Sequence, residues 1–282
     1  MWRFRERSIF CRVAGAEDNP VLLLIHGFPT SSWDWAALWA RFTQSYRVIA
    51  VDMLGFGFSD KPPAHDYRIS EQADLLDALL RHCGVRACLV LAHDYGDTVA
   101  QELLARRSDP GERPRLEGLV LLNGGLFPET HRPLFLQRVL LSPAGPLLAR
   151  MVSKRALGRS LNRIFGSATQ PDGAFIEGAW LQLTHNDGRR ALPGLIRYMT
   201  ERKVHRERWV GALQRATIPV AVIAGADDPV SGAHMVERYR ELVPRPDATL
   251  LEGIGHYPQV EAPDHVWKAF EEWSRLASPS RR

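Results

Sequence analysis

The chain has 282 residues, 45% hydrophobic and 24% charged, an ordinary globular composition that excludes disordered and fibrous classes. No apolar run approaches the ~20 residues of a membrane helix, and residues 1–7 lack the apolar centre of a secretory signal. Net charge is +4, from 32 Arg and 4 Lys against 32 acids, which suits a solvated Arg-rich surface better than a nucleic-acid face. Three cysteines, Cys11, Cys83 and Cys88, form neither a disulfide framework nor a four-ligand zinc site. A reducing, cytoplasmic setting is therefore expected, with no metal and no cofactor.

The first 13 residues read as a short strand pair, Arg3 to Glu6 and Ser8 to Val13. Continuous apolar runs follow at 21–25, 47–51, 87–92, 119–122, 219–224 and 248–251, as in strands buried on both faces. Helical periodicity lies between them, at 33–42, 69–83, 98–107, 235–242 and 265–276. In the second of these, Leu75, Leu76, Leu79 and Leu80 share a face and Gly84 is a stop signal. Alternating strand and helix predicts an α/β fold, a mostly parallel doubly wound sheet with helices on both sides. Between 125 and 211 no strand-like run occurs. This segment is predicted to be an inserted helical cap, leaving 1–124 and 212–282 as the core domain. No repeat is present, and the tail 278–282 is expected to fray.

The segment 91–97, Leu-Ala-His-Asp-Tyr-Gly-Asp, joins a strand to a helix with small residues, Ala92 and Gly96, two positions either side of Asp94. A sharp strand-to-helix turn strains its apex into positive φ and needs small neighbours, so this reads as a nucleophile elbow with Asp94 at its tip. An Asp helix cap is the plainer alternative. Two later segments argue against it. Asp228 follows the fifth apolar run in Gly225-Ala-Asp-Asp-Pro, and His256 follows the sixth in Gly253-Ile-Gly-His-Tyr-Pro. The order nucleophile, acid, histidine is that of α/β-hydrolases. Asp227 competes for the acid role, but Asp228 stands three residues past the strand-ending glycine. After the fourth run stands Asn123, a neutral amide, which also favours the later acid. The backbone N–H groups of Phe28, in His26-Gly-Phe-Pro, and of Tyr95 are candidates for an oxyanion hole. The glycine-rich stretch 52–60 lacks phosphate-loop spacing and is read as structural.

A carboxylate nucleophile displaces a leaving group from saturated carbon and becomes an ester. His256, oriented by Asp228, then activates water to cleave it. Asp94 is ionised at neutral pH and needs no base, whereas His256 has to start neutral, which its reference pKa of about 6.5 permits. Epoxides and alkyl halides suit this chemistry.

These segments resemble the epoxide hydrolase and haloalkane dehalogenase branch of the α/β-hydrolases, and more narrowly the mesoderm-specific transcript group. The resemblance is carried by residues 93–97, 123–133, 186–188, 208–213 and 256–259, so it spans nearly the whole chain. It implies a hydrolase with a helical cap but no defined substrate. Haloalkane dehalogenases resemble this chain but hold the halide with side-chain N–H donors at the positions of Tyr95 and Phe28, and Phe28 has none. Haloacid-type relatives clamp a carboxylate with arginines just after the nucleophile, where this chain has Tyr95, Gly96, Asp97 and Thr98. Asp97 is expected to repel a carboxylate. Epoxide hydrolases polarise the ring oxygen with two cap tyrosines. Tyr198 matches one by position, and His131 or His185 would have to replace the other. Trp180 is a further pocket candidate.

Epoxide hydrolysis of a small apolar or amphipathic substrate with water therefore leads. Dehalogenation, ester hydrolysis and a binding or scaffolding protein on a hydrolase fold are the alternatives. Charge divides along the chain. Residues 125–211 hold 14 Lys+Arg and 6 Asp+Glu, a net +8, and the remainder is −4. The basic character belongs to the cap and leaves room for anionic substrates, partners or membrane surfaces.

Overall fold

In the computed structural model, which describes residues 1–109 and 112–277, the apolar runs pair side by side in one sheet. Nine strands form among the described residues: β1 Trp2–Phe4, β2 Arg7–Ile9, β3 Cys11–Ala14, β4 Val21–Ile25, β5 Arg47–Val51, β6 Ala87–His93, β7 Arg115–Leu122, β8 Val220–Gly225 and β9 Asp247–Leu251. β1 and β2 make a separate antiparallel hairpin. The other seven lie in the order β3-β5-β4-β6-β7-β8-β9, parallel throughout except for β3. The predicted N-terminal pair thus becomes three strands, because Phe10 turns the chain out of the hairpin and its N–H goes to Ser59 Oγ. β7 also begins four residues earlier than its apolar run, since Arg115 pairs with Ala87 at the solvent end.

The helices are α1 Ala36–Ser45, α2 Ile69–His82, α3 Tyr95–Ala105, α4 Phe135–Leu141, α5 Gly145–Arg150, α6 Lys154–Asn162, α7 Gly173–Thr184, α8 Leu192–Leu195, α9 Tyr198–Val204, α10 Arg206–Gln214, α11 Ala233–Leu242, α12 Pro258–Glu261 and α13 Pro263–Ala277. α4 to α10 all lie between β7 and β8, where no strand occurs among the described residues. The tail 278–282 lies outside the described residues.

Strand alternation assigns each apolar side chain to a layer. Leu22, Leu24 and Val48 point to the layer of α1 and α13, with Phe42, Phe270 and Trp273. Leu23, Ile25, Ile49 and Val90 point to the layer of α2 and α3, with Leu75, Leu76, Leu79 and Val99. Each fully buried Leu or Val contributes about 1.5–3 kcal/mol, so one unbroken apolar strand stabilises both layers. α2 ends where expected. Gly84 takes φ +70, its N–H reaches Arg81 O, and the Val85 N–H reaches Leu80 O, the paired bonds of a Schellman stop.

β5 and β6 flank β4 on opposite sides, so the chain reverses direction across the sheet at β4. A crevice at the carboxyl ends of the strands is the expected ligand site of such a sheet. Residues 26–28, 94 and 95 stand at those ends.

Candidate active site

Asp94 is the corner between β6 and α3, with φ +47 and ψ −103. A non-glycine residue in this region is strained, and the surroundings hold it there. Its N–H bonds to Leu122 O at 3.0 Å, and its own carbonyl receives the Asp97 N–H. The turn passes so close to β4 that a Cβ on Gly96 would stand 2.7 Å from the carbonyl oxygens of Ile25 and His26. A Cβ on Gly27 would stand 2.6 Å from His93 Nδ1. Gly96 was legible as a small neighbour. Gly27 was not, because its constraint comes from another strand. α3 starts at Tyr95, three residues before its apolar periodicity, since the helix grows directly from the corner.

The structure brings Asp94, Asp228 and His256 together. His256 Nδ1 lies 2.7 Å from Asp228 Oδ2, and His256 Nε2 lies 4.0 Å from Asp94 Oδ2. Asp228 also accepts from the N–H groups of Val230 and Ser231, the Ser231 hydroxyl and Asn123 Nδ2, so its carboxylate is fully engaged. Asp227 is exposed. Asn123 thus occupies the alternative acid position as a hydrogen-bond partner of Asp228. The Phe28 N–H donates to Asp94 Oδ2 at 3.1 Å. Tyr95 offers a first-turn N–H, and its hydroxyl goes to Tyr67 O. The Tyr198 hydroxyl is 3.5 Å from Asp94 Oδ1, and its ring packs edge-on against Tyr95.

Of the other pocket candidates, His185 and Trp180 pack elsewhere, and His131 borders the cluster beside Arg202. The His185 ring packs edge-on against Phe58, half-exposed, because α7 ends there and Asn186 and Asp187 kink the chain with left-handed backbone. Trp180 lies beneath the Arg189 guanidinium, 5.9 Å away. His131 has both ring nitrogens buried without a protein partner, and its Nδ1 and Arg202 Nη1 both crowd the Cβ position of Gly125. Neither histidine is bonded to Tyr198 or Asp94.

Arg202 escaped sequence reasoning. It sits one turn after Tyr198 on α9 and is buried. Its Nε donates to Thr98 Oγ1 at 2.6 Å and its Nη2 to the Asp94 carbonyl at 3.0 Å, with Asp94 Oδ1 at 3.7 Å. The guanidinium also lies 4.4 Å from the Tyr198 ring centre. The i, i+4 spacing of Tyr198 and Arg202 was the available signal. It was masked by the many other arginines of the segment. His93 was also missed. Its Nε2–H donates to the His256 carbonyl at 2.8 Å, and burial pushes its pKa down to about 3.

Two electrostatic expectations need correction. Burial lowers the His256 pKa, but the charge and hydrogen bond of Asp228, then the charge of Asp94, outweigh it and push it up to about 9. His256 therefore starts protonated, between two carboxylates. Burial, then the Asp94 charge, pushes Asp97 well above the carboxylate range. That favours its neutral form, so Asp97 is not the repulsive charge expected. Burial opposes ionisation of Asp94, yet His256 and Arg202, then His93 and the Phe28 N–H, hold its pKa below the usual value.

The chain belongs to the α/β-hydrolase fold family, whose profile matches residues 20–263. Within that family its relatives include a mesoderm-specific transcript homolog and a bacterial hydrolase. It is 46% identical over 258 residues to the mesoderm-specific transcript homolog protein of Bos taurus, covering 88% of this chain and 77% of that one. It is 41% identical over 266 residues to the putative hydrolase LipZ of Mycobacterium tuberculosis, covering 94% and 90%. Among solved structures, a loop variant of the haloalkane dehalogenase DbeA from Bradyrhizobium elkanii superposes with a TM-score of 0.81 at 21% identity, covering 97% and 95%. That likeness is one of fold.

Proposed function

We propose that this hydrolase opens epoxides through a covalent ester of Asp94, with His256 as general base, Asp228 as its orienting acid and residues 125–211 as a helical cap. The observation that carries the reading is the environment of the two Asp94 oxygens. Oδ1 faces the Tyr198 hydroxyl, and Oδ2 faces the Phe28 N–H and His256. One oxygen thus stands beside a proton donor suited to a leaving alkoxide, and the other beside donors suited to an oxyanion.

Asp94 Oδ1 attacks the less hindered ring carbon while the carbon–oxygen bond breaks. The Tyr198 hydroxyl, whose pKa burial keeps well above 10, gives its proton to the departing oxygen, which becomes a hydroxyl. The product is a hydroxyalkyl ester. Esterification removes the Asp94 charge, one of the two carboxylate charges that hold His256 protonated. His256 then gives up its proton through solvent, which restores the Tyr198 hydroxyl, and becomes a base only when the ester exists. It takes a proton from water, whose oxygen adds to the Asp94 carbonyl carbon. The negative charge develops on Oδ2, against the N–H of Phe28 and the first turn of α3. Collapse releases the diol and regenerates the carboxylate. Phe28 offers no side-chain donor for a halide, which ranks dehalogenation second. The three free cysteines agree with a reducing compartment.

Incubation of the His256→Gln variant with a panel of epoxides and alkyl halides tests this. Peptide mass spectrometry is expected to find an epoxide adduct on Asp94. If the protein binds these compounds and no adduct forms from any of them, the covalent mechanism fails. Adducts from halides alone would shift the reading to dehalogenation.

A further inference from the structure

The basic character of the chain is concentrated further than the cap. From residue 130 to 171 there are seven Lys+Arg and no Asp or Glu. Lys154 pairs with Glu177 on α7. The six arginines, Arg132, Arg138, Arg150, Arg155, Arg159 and Arg163, are all exposed and enter no ion pair among the described residues. Three of them recur every fourth residue, so Arg155, Arg159 and Arg163 form one stripe along α6 and just past its end, opposite the buried Leu157 and Leu161. Like charges one turn apart weaken a helix, and no acid pairs with these among the described residues.

The same segment exposes apolar surface. α4 and α5 form a helical hairpin whose residues 139–149 carry no charge, with Arg138 before and Arg150 after. Leu141, Pro143, Ala144 and Pro146 of its tip are exposed. Phe135 is 76% exposed, Leu147 66% and Met151 72%, where such side chains are normally covered. Leu147 and Met151 lie one turn apart on one side of α5.

We propose that the α4–α5 hairpin, backed by the arginine stripe of α6, docks on an anionic phospholipid surface. The chemistry selects this occupant. An uncharged hairpin tip enters the acyl boundary, while flanking guanidinium groups lie level with the lipid phosphates and bond them. A nucleic acid would match the arginines but leave the apolar tip in water. A second copy meeting this face about a two-fold axis would set arginines against arginines. The hairpin also forms one wall of a cleft of about 700 Å³ whose other wall includes Arg197 and Thr200, next to and on α9. Docking would therefore hold the membrane beside the helix that carries Tyr198 and Arg202. The proposal stands whether or not the reaction is epoxide opening.

The test is flotation of the full chain with vesicles of phosphatidylcholine alone, and with vesicles of equal parts phosphatidylcholine and phosphatidylglycerol. Partition is expected to be roughly tenfold or more stronger on the mixed vesicles, and to fall steeply with salt. The combined variant Arg155→Glu, Arg159→Glu, Arg163→Glu is expected to lose the preference for phosphatidylglycerol. The combined variant Phe135→Ser, Leu147→Ser, Met151→Ser is expected to lose partition at low salt as well. Circular dichroism melts establish that both are folded. If either is not, the single variant Leu147→Trp provides the readout, its fluorescence moving to shorter wavelength on mixed vesicles only. Equal binding to both vesicle types, no binding to either, or binding untouched by the folded variants overturns the proposal. So does a dimer in solution that the apolar variant dissociates.

Discussion

The two ends of the helical segment between β7 and β8 treat their charges in opposite ways. At the C-terminal end, α9 and α10 dock on α3 through polar contacts. Arg202 is bonded to Thr98 and the Asp94 carbonyl. Arg208 and the Trp209 indole both reach Glu102, and Arg206 pairs with Glu129. At the N-terminal end, residues 132–163 hold six exposed arginines that enter no ion pair among the described residues, and a hairpin of exposed apolar side chains. Composition is alike at the two ends, since both are rich in arginine. The difference lies in whether a polar partner stands opposite. Buried, partnered arginines hold a site in place; exposed, unpartnered ones are available to something outside the chain.

Four changes test that contrast. Arg202→Met strikes the docked end hardest. It removes hydrogen bonds to the Thr98 hydroxyl and the Asp94 carbonyl, and a cation that favours ionised Asp94. A fall in kcat of about 10²–10³-fold is expected, together with about 3 kcal/mol of lost stability. Because Arg202 lowers the Asp94 pKa, the acid limb of the rate profile should also move to higher pH. An unmoved limb with reduced stability would leave Arg202 a purely structural residue.

Glu102→Ala comes next. It leaves the buried Arg106, and the Arg208 and Trp209 donors, without their shared acceptor. About 2–3 kcal/mol of destabilisation in urea melts is expected. A change below ~0.5 kcal/mol, the range of ordinary surface substitutions, would mean that α10 docks by apolar packing alone.

The third change is in pH. His256 has a folded pKa of about 9 against an unfolded value near 6.5, so its contribution to stability is complete below about pH 6.5. That contribution is lost as pH rises through about 9. Thermal melts of wild type and His256→Gln should therefore converge across this window, and parallel curves would contradict the protonated resting state.

Arg159→Glu, at the free end, is the smallest. In the absence of lipid its effect should stay within about 0.5 kcal/mol, and toward stabilisation, because the new acid faces Arg155 and Arg163 one turn away. A loss of more than that would show that Arg159 has a partner within the protein.

Local pattern carried much of this protein. Apolar runs such as 21–25 and 87–92 have one arrangement that buries both faces, a parallel sheet between helical layers, and they adopted it. The corner at Asp94 was visible because positive φ demands small neighbours, and the neighbours nearest in sequence are small. Asp228 and His256 were visible because strand ends converge on one edge of such a sheet. What escaped depends on contacts between distant segments. Gly27 is required by His93 and the adjacent corner, and Arg202 is distinguished from its fellow arginines only by Thr98 and Asp94 opposite. The expected placement of His185 failed for the same reason. Two left-handed residues turn it toward Phe58, and no periodicity announces them. Local pattern thus fixes the sheet, its layers and the three strand-end side chains, because those follow from periodicity and order along the chain. Only the tertiary structure decided which charges are neutralised and which protonation states result. Burial and the sum of neighbouring charges set those, and both are properties of three-dimensional packing.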